Sequence, residues 1–339
     1  MPAWSSRNSP ADRVMRRLAV LLGILLTLGT VLVATAVWTV ARIEAPGPLV
    51  EARTVVVARG GLFDIADTLV EAGVVNHLGL FLVATMSGGG HALKAGEYLF
   101  PAGASIAAVV ELLRQGKTVV HRLTVPEGWT SAQVVALIKA EPALSGDLTL
   151  TPAEGSLLPG TYHFSLNDGR NALVERLRAA MTVALREAWA ARAKEVTLAS
   201  PEQVLVLASM VEKETGLAAE RPRVAGVFLN RLQAGMRLQS DPTVIYALTK
   251  GGAPLGRSLT RADLKTESAY NTYYAEGLPP GPIANPGKAA LAAVLNPERH
   301  ELLYFVADGS GGHVFAKTLA EHNHNVAHWR EVSQAKTGQ

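Results

Sequence analysis

The chain has 339 residues, 48% of them hydrophobic, no cysteine and a formal net charge of +3. Without cysteine there are no disulfides, no thiolate metal sites and no cysteine nucleophile. Much of the small basic excess lies in the first 17 residues, which argues against a nucleic-acid-binding surface. The length allows a membrane segment followed by two or three soluble units with apolar cores.

An uncharged segment near the N-terminus predicts a membrane-spanning helix. Residues 18–40 carry no charge, and at about 1.5 Å per residue they can cross a hydrocarbon core of about 30 Å. Arg7, Arg13, Arg16 and Arg17 precede this segment, so the positive-inside rule predicts a cytoplasmic N-terminus. A cleaved signal peptide is the alternative, since residues 34–36 resemble a cleavage site, but the apolar run exceeds the usual length of about 7–15. We expect an uncleaved single-pass anchor in the inner membrane, with the remaining chain outside the cytoplasm.

The soluble part begins with short strands and helices. Hydrophobic spacing predicts a strand at 54–58 and helices at 62–72, 78–86, 106–114 and 172–189. Three glycines at 88–90 are interpreted as a flexible connector. Residues 96–100 and 160–164 are similar and each precedes a helix. This weak repeat resembles LysM-type glycan-binding modules, and a spacer without a binding role is an equally open alternative.

From residue 198 onward the pattern is richer in helices. Ser200, Pro201 and Gln203 predict a capped helix start, and this helix should end near Gly216. Further helices are expected at about 220–232, 241–246, 287–295 and 318–332, and strands at 302–307 and 313–316. These elements do not alternate as βαβ units, so we predict an α+β fold. The expected organisation is a tail (1–17), a transmembrane helix (18–40), a linker (41–53), a LysM-like module (54–121), a second small α+β module or connector (122–197) and a mixed α+β catalytic domain (198–339).

Two glutamates on the helix before Gly216 are candidates for chemistry. At 100° per residue Glu212 and Glu214 point about 200° apart and cannot share one site. Glu214 lies on the more apolar side, with Met210 one turn earlier. Burial would raise its pKa, which suits a general acid. Glu212 is expected to face water. A structural glutamate, paired with Lys213 or Arg221, is the alternative for Glu214.

A series of motifs resembles the endolytic murein transglycosylase family, also called YceG-like. In chain order the motifs are ASMVEKET (208–215), ER (220–221), VFLNR (227–231), GMRLQSDPTVIY (235–246), YNTY (270–273), GLPPGPI (277–283), YFVADG (304–309), GHVF (312–315) and HN (322–323). The resemblance is dense from residue 198 to the C-terminus, includes the N-terminal anchor and is looser in the modules between them.

The resemblance implies a reaction and a catalytic residue. Members of the family cleave the β-1,4 bond between N-acetylmuramic acid and N-acetylglucosamine inside glycan strands, without water or a cofactor. The muramyl C6 hydroxyl attacks the anomeric carbon and leaves a 1,6-anhydro end. The second glutamate of the Glu-Lys-Glu motif is catalytic, which is Glu214 here. The resemblance also implies that the protein terminates growing strands, with peptidoglycan synthases (penicillin-binding proteins) as partners. One carboxyl suffices physically, because an intramolecular hydroxyl needs no activated water.

Other polar residues match the family's motifs and are predicted to contact substrate. They are Asn230, Arg231, Gln239, Asp241, Tyr270, Asn271, Tyr273 and His313. Before Pro242, Asp241 is better interpreted as a helix N-cap than as a second catalytic carboxylate. His322 and His324 point about 200° apart on a helix, so no metal site is expected.

Two alternatives to a transglycosylase remain open. The first is a muramidase-type hydrolase that uses Glu214 and Asp241. The second is a non-catalytic glycan-binding scaffold of the wall-synthesis machinery, with the LysM-like parts binding the glycan.

Overall fold

The computed structural model describes residues 10–87 and 92–337. The connector predicted at 88–90 and the first nine residues of the predicted tail lie outside these ranges. The chain divides into two compact units, Met1–Val119 and Val120–Gln339. The secondary structure is a mixture of helices and antiparallel strand pairs, so the predicted α+β class is confirmed.

The first unit begins with the long helix α1 (Pro10–Glu44). Its segment 13–44 has a mean hydropathy of 2.5 over its most apolar window and is long and apolar enough to cross a membrane, as a signal sequence would also be. The hydroxyls of Thr27, Thr30, Thr35 and Thr39 donate to the carbonyl four residues earlier. Each of these four threonine hydroxyls therefore has an acceptor within the helix, as an apolar environment requires.

The rest of the first unit is a small α+β module. Strand β1 (Arg53–Val57) precedes helices α2 (Leu62–Glu71) and α3 (Leu78–Ser87), and strand β2 (Gly96–Phe100) is followed by α4 (Ile106–Gln115). The strands pair antiparallel, with Val55 opposite Tyr98. The helices cover the strands around a core that includes Leu69, Phe81, Tyr98 and Leu113. The strand–helix–helix–strand order agrees with the pattern in the sequence, but the likeness to LysM modules is not confirmed.

Helix α4 of the module begins and ends where local chemistry predicts. Ser105 caps α4 by accepting a hydrogen bond from the backbone of Ala108. Gly116 ends the same helix in the left-handed conformation (φ 69°), which glycine adopts without steric cost.

The second unit starts with another strand pair and two helices. Strand β3 (His121–Val125), helix α5 (Ser131–Ala140), strand β4 (Gly160–Phe164) and helix α6 (Arg170–Ala190) follow in order. The two strands pair antiparallel, with Leu123 opposite Tyr162. Helix α5 begins with a full capping box made by Thr130 and Gln133. The observed helix α6 extends two residues before and one residue beyond the helix predicted at 172–189.

The last part of the unit packs three helices around one core. They are α7 (Pro201–Glu214), α8 (Arg221–Gln233) and, after the short α9 (Asp241–Thr249), α10 (Lys288–Leu295). Strands β5 (Tyr304–Ala307) and β6 (His313–Ala316) form an antiparallel hairpin, and α11 (Leu319–Thr337) follows. The core contains Leu207, Met210, Phe228 and Leu291. The hairpin reaches it through Phe305, whose ring meets that of Phe228 edge-on at 5.9 Å.

The start of α7 shows the predicted cap with one difference. Ser200 accepts a hydrogen bond from the backbone of Gln203, and Pro201 is the first helical residue. The side chain of Gln203 does not close the box on Ser200. It accepts instead from the backbone N–H of Ala199, one residue earlier.

Candidate active site

Glu214 is the last residue of α7 and lines a cavity of about 480 Å³. The cavity lies between the ends of α7 and α8, the start of α9, the β5–β6 hairpin and α11. Apolar packing of Met210 and Val211 against the core fixes the last turn of α7. The lining residues are Glu214, Arg231, Leu238, Gln239, Asp241, Tyr273, Phe305, Val306, Ala307, His313, His322, Val326 and Trp329.

Ser240 holds one oxygen of the Glu214 carboxyl. Its hydroxyl donates a short hydrogen bond to Oε1 of Glu214. Ser240 is buried, and its backbone N–H donates to the hydroxyl of Thr272 at 2.9 Å. The preceding residue, Gln239, has φ 51°, a left-handed conformation that non-glycine residues rarely adopt. A strained residue beside the candidate acid is typical of functional sites, where the surrounding structure maintains the strain.

The surroundings of Glu214 favour its neutral form. Burial raises the pKa of Glu214 to about 7, and the negative charge of Asp241 acts in the same direction. The hydrogen bond from Ser240 and the nearby His313 and Arg231 oppose this shift of the pKa without cancelling it. A carboxyl with a pKa near 7 is partly protonated at neutral pH, so it can donate a proton and afterwards accept one.

His313 faces the cavity from strand β6 and is held by Glu220. Nδ1 of His313 lies 2.7 Å from Oε2 of Glu220, and the backbone N–H of His313 donates to Oε1 at 2.9 Å. The hydroxyl of Thr215 also donates to Glu220. Burial raises the pKa of Glu220, but the hydrogen bonds from His313 outweigh it and leave the pKa below its ordinary value.

Arg231 contributes a buried positive charge to the cavity. Its Nε donates to the carbonyl of Leu303 at 2.6 Å and its Nη1 to that of Leu238 at 2.8 Å. The guanidinium also lies over the ring of Tyr304 at 5.2 Å. These contacts pin the side chain between α8 and the hairpin, and burial lowers its pKa.

Asp241 is not a helix cap, contrary to the sequence-based interpretation. The N-cap of α9 is Ser240, and Asp241 is the first helical residue. Its Oδ1 accepts a hydrogen bond of 2.6 Å from the hydroxyl of Tyr273, so a side chain rather than backbone N–H groups occupies it. Burial and the neighbouring Asp241 raise the pKa of Tyr273 above its ordinary value.

The structure brings six of the nine predicted site residues into this one cavity. They are Glu214, Arg231, Gln239, Asp241, Tyr273 and His313. The other three lie outside it. Asn230 donates to the backbone carbonyls of His300 and Leu302. Asn271 is fully buried and donates to the backbone carbonyls of Leu264 and Thr266. The ring of Tyr270 packs on the ring of Tyr246, with 4.9 Å between the ring centroids.

Glu212 does not face water, and its predicted exposure is wrong. Its side chain is only 4% exposed and pairs with Arg221 at 2.9 Å. The other carboxyl oxygen accepts the backbone N–H of Gly287, at the start of α10, at 2.8 Å. Burial raises the pKa of Glu212 despite these partners. The error arose because a distant segment of the chain covers this face of α7.

Several residues of the site were not predicted. Ser240, Glu220 and Trp329 lie in or near the family's motifs, but nothing in the sequence pattern indicates their roles, and for His322 the pattern indicates only that a two-histidine metal site is excluded. His322 stacks on Tyr304 at 5.2 Å, and burial followed by the charge of Arg231 lowers its pKa. In the described ranges, no group of three or more His, Asp or Glu side chains is arranged to hold a metal ion.

Comparison with known proteins identifies the family. The model of the YceG-like family matches residues 55–328. The chain belongs to the YceG-like family. A curated relative from Bacillus subtilis, named endolytic murein transglycosylase, is 34% identical over 268 residues, which cover 69% of this chain and 72% of the relative. A relative of the same name from Streptococcus pneumoniae is 30% identical over 313 residues, 78% of this chain and 56% of the relative.

A solved structure also supports this assignment. The crystal structure of a YceG-like protein from Listeria monocytogenes matches with a TM-score of 0.50 and 32% sequence identity. The match covers 81% of this chain and 99% of the other. Membership of the YceG-like family, inferred from the motifs, is thereby confirmed. The expected enzyme class, a lytic transglycosylase, is the class that the curated relatives' names describe.

Proposed function

We propose that this YceG-like protein is a peptidoglycan lytic transglycosylase that cleaves within glycan strands, with Glu214 as its acid and base. The observation that carries the proposal is the position of Glu214: a buried carboxyl with a pKa of about 7 lines a cavity of about 480 Å³. The names of the curated relatives supply the substrate class, murein.

The proposed reaction needs one carboxyl and no water. Protonated Glu214 gives its proton to the glycosidic oxygen while the bond from that oxygen to C1 of N-acetylmuramic acid breaks. The C6 hydroxyl of the same sugar attacks C1 and forms the new C1–O6 bond. The hydroxyl proton passes to the Glu214 carboxylate, which restores the acid. The products are two shorter strands, one of which ends in 1,6-anhydromuramic acid. Atoms and protons therefore balance.

The neighbours of Glu214 suit this cycle. Ser240 occupies Oε1, so Oε2 is the oxygen that we expect to exchange the proton. The buried charge of Arg231 limits the cost of the carboxylate formed after the first transfer. Gln239, Asp241, Tyr273 and His313 present donors and acceptors suited to sugar hydroxyl and acetamido groups.

A muramidase-type hydrolase is the second candidate, because Asp241 is another carboxylate in the same cavity. A hydrolase would need it to activate water or to attack C1. In the structure Asp241 accepts a hydrogen bond from the hydroxyl of Tyr273, which favours a binding role for it instead. A non-catalytic scaffold would not need a carboxyl with a raised pKa at the end of a helix.

The N-terminal helix suggests where the enzyme works. We propose that α1 remains uncleaved and anchors the protein in the inner membrane by one span, with its N-terminus in the cytoplasm. Residues 198–339 would then be the catalytic domain outside the cytoplasm, joined to the membrane through modules 54–121 and 122–197. Cleavage near the membrane would terminate growing strands, and peptidoglycan synthases would be partners.

The test is digestion of uncrosslinked glycan strands by the full chain in lipid nanodiscs, followed by mass spectrometry. We expect internal fragments that end in 1,6-anhydromuramic acid, one water lighter than hydrolysis products, and none with Glu214→Gln. Reducing ends would establish a hydrolase and direct attention to Asp241. Cleavage by Glu214→Gln at the wild-type rate would overturn the assigned role of Glu214.

A further inference from the structure

A second cavity of about 470 Å³ lies in the same unit as the candidate active site and has no role in the proposed reaction. Helix α9 and the segment that follows it form much of its wall. The lining residues are Thr130, Gln133, Lys213, Pro242, Ile245, Tyr246, Thr249, Gly251, Ala253, Pro254, Leu255, Gly256, Arg257 and Ile283.

The two cavities meet at two pairs of consecutive residues. Glu214 lines the first cavity and Lys213 the second, and the same holds for Asp241 and Pro242. Consecutive Cα atoms are about 3.8 Å apart. The end of α7 and the first turn of α9 therefore contribute residues to both cavities.

The second cavity has an apolar floor and a cationic edge. Ile245, Leu255 and Ile283 supply apolar surface, and the charged residues among the described lining are Lys213 and Arg257. Asp263 holds Arg257 by two hydrogen bonds of 2.6 and 2.9 Å and neutralises much of its charge. Lys213 is thus the main charge available to a ligand.

Lys213 is placed for this role by its own contacts. Its Nζ makes one long hydrogen bond, 3.3 Å, to the carbonyl of Gly128. Gly128 adopts φ 72°, and a Cβ there would lie 3.4 Å from the Lys213 side chain. The turn at Gly128 thus packs along the aliphatic stem of Lys213, and Lys213 as a whole residue is exposed. An ammonium on a packed stem can pair with a carboxylate.

We infer that the second cavity binds an acidic peptide, the stem peptide that the muramyl residue carries, and that Lys213 pairs with one of its carboxylates. This inference rests on the proposed function. A stem peptide is attached to the same sugar whose anomeric carbon reacts, so it must leave the active site at short range. It carries both apolar methyl groups and carboxylates, which suit an apolar cavity with a cationic edge.

The test compares two substrates with the full chain in nanodiscs. One is uncrosslinked glycan strands that carry stem peptides, and the other is the same strands after an amidase has removed them. The measured quantity is the ratio of kcat/KM for the first substrate to that for the second. We expect Lys213→Met to lower this ratio about tenfold, which corresponds to about 1.4 kcal/mol. Ile245→Trp, which puts a larger apolar side chain into the cavity from helix α9, should lower the ratio too.

The control is Lys288→Met, an exposed lysine on α10 that lines neither cavity. It should leave the ratio at the wild-type value. A ratio unchanged by Lys213→Met, or an equal loss on both substrates, would overturn the inference, because Lys213 would then have no part in peptide recognition.

Calorimetry with a free stem tripeptide separates the inference from the proposed function. If the wild-type chain cleaves neither substrate, the proposed function fails, but tripeptide binding that Lys213→Met weakens about tenfold still supports the second cavity. Absence of tripeptide binding to a chain that cleaves both substrates equally well overturns the inference alone.

Discussion

Glu220 accepts two hydrogen bonds from one residue, His313: one from the backbone N–H at 2.9 Å and one from ring Nδ1 at 2.7 Å. A carboxylate at Nδ1 keeps the proton on that nitrogen, so Nε2 is the ring nitrogen available to a ligand in the cavity. The pair joins the 3₁₀ turn before α8 to strand β6 and fixes a polar ring beside the candidate acid.

Glu220→Gln is expected to lower kcat/KM about tenfold, because an amide would keep one of the two hydrogen bonds and release the imidazole ring. Glu220 is a positioning residue, so the measurement is the full pH profile of kcat/KM. A purely structural residue would lower the amount of folded enzyme without changing the shape of that profile. Glu298→Gln, which alters an exposed pair with Arg223, is the matched control and should change nothing.

The pKa of Glu214 predicts the pH dependence of cleavage. Because the proposed acid must be protonated to donate, kcat/KM should fall as pH rises through about 7. The measurement is the initial rate on glycan strands between about pH 5 and pH 9 with the substrate well below KM. A rate that keeps rising through pH 8 would contradict the role of Glu214 as general acid.

Ser240→Ala should shift the fall of kcat/KM at alkaline pH to a higher pH. The hydroxyl of Ser240 stabilises the charged carboxylate, so its loss raises the pKa of Glu214. A hydrogen bond to a charged group contributes roughly 1.5 kcal/mol, which corresponds to a shift of about one pH unit. Ser310→Ala, in the exposed turn before β6, is a control of the same chemistry and should leave the pH of this fall unchanged. A downward shift with Ser240→Ala would contradict the assignment.

The same pKa makes stability depend on pH. The pKa of Glu214 rises from 4.5 to about 7 on folding, so the folded state binds more protons between these values. Stability contributed by the neutral carboxyl is present below about pH 4.5 and is lost as pH rises through 7. Relative to Glu214→Gln, the wild-type chain should lose up to about 3 kcal/mol between pH 4 and pH 8. Thermal unfolding of both chains in nanodiscs measures this difference, and parallel curves would contradict it.

Removing only one partner of the buried pair of Glu212 and Arg221 should strongly lower the stability of the fold. Arg221→Met leaves a carboxylate that is 4% exposed without its cation, at a cost of about 3–5 kcal/mol. The double variant with Glu212→Leu should recover most of this loss, since no buried charge remains. Arg178→Met breaks an exposed pair with Glu175 and should cost at most about 1 kcal/mol. Equal destabilisation by the single and double variants would contradict this account.

Most helices and strands were predictable because their signals are local. Hydrophobic spacing placed α2, α3 and α4 to within one residue of their observed bounds. Strand β6 begins and ends where the sequence predicted, and Ser200 with Pro201 marked the start of α7. The incorrect predictions concern which residues a side chain contacts, and not where the helices and strands lie. Asp241 begins α9 one residue after its true cap, Ser240, because both residues can cap and only the chain's path selects one.

The sequence alone determined the family, the apolar N-terminal helix, the α+β class and the position of the helix that ends at Glu214, since periodicity, composition and serial motifs are properties of the linear chain. The tertiary structure decided which side chains meet. It placed Ser240 on Glu214 and Glu220 on His313, buried Glu212 under the start of α10, and kept Asn230 and Asn271 out of the cavity. These three contacts join residues from 26 to 93 positions apart in the chain, and only the packing of the folded chain brings such residues together.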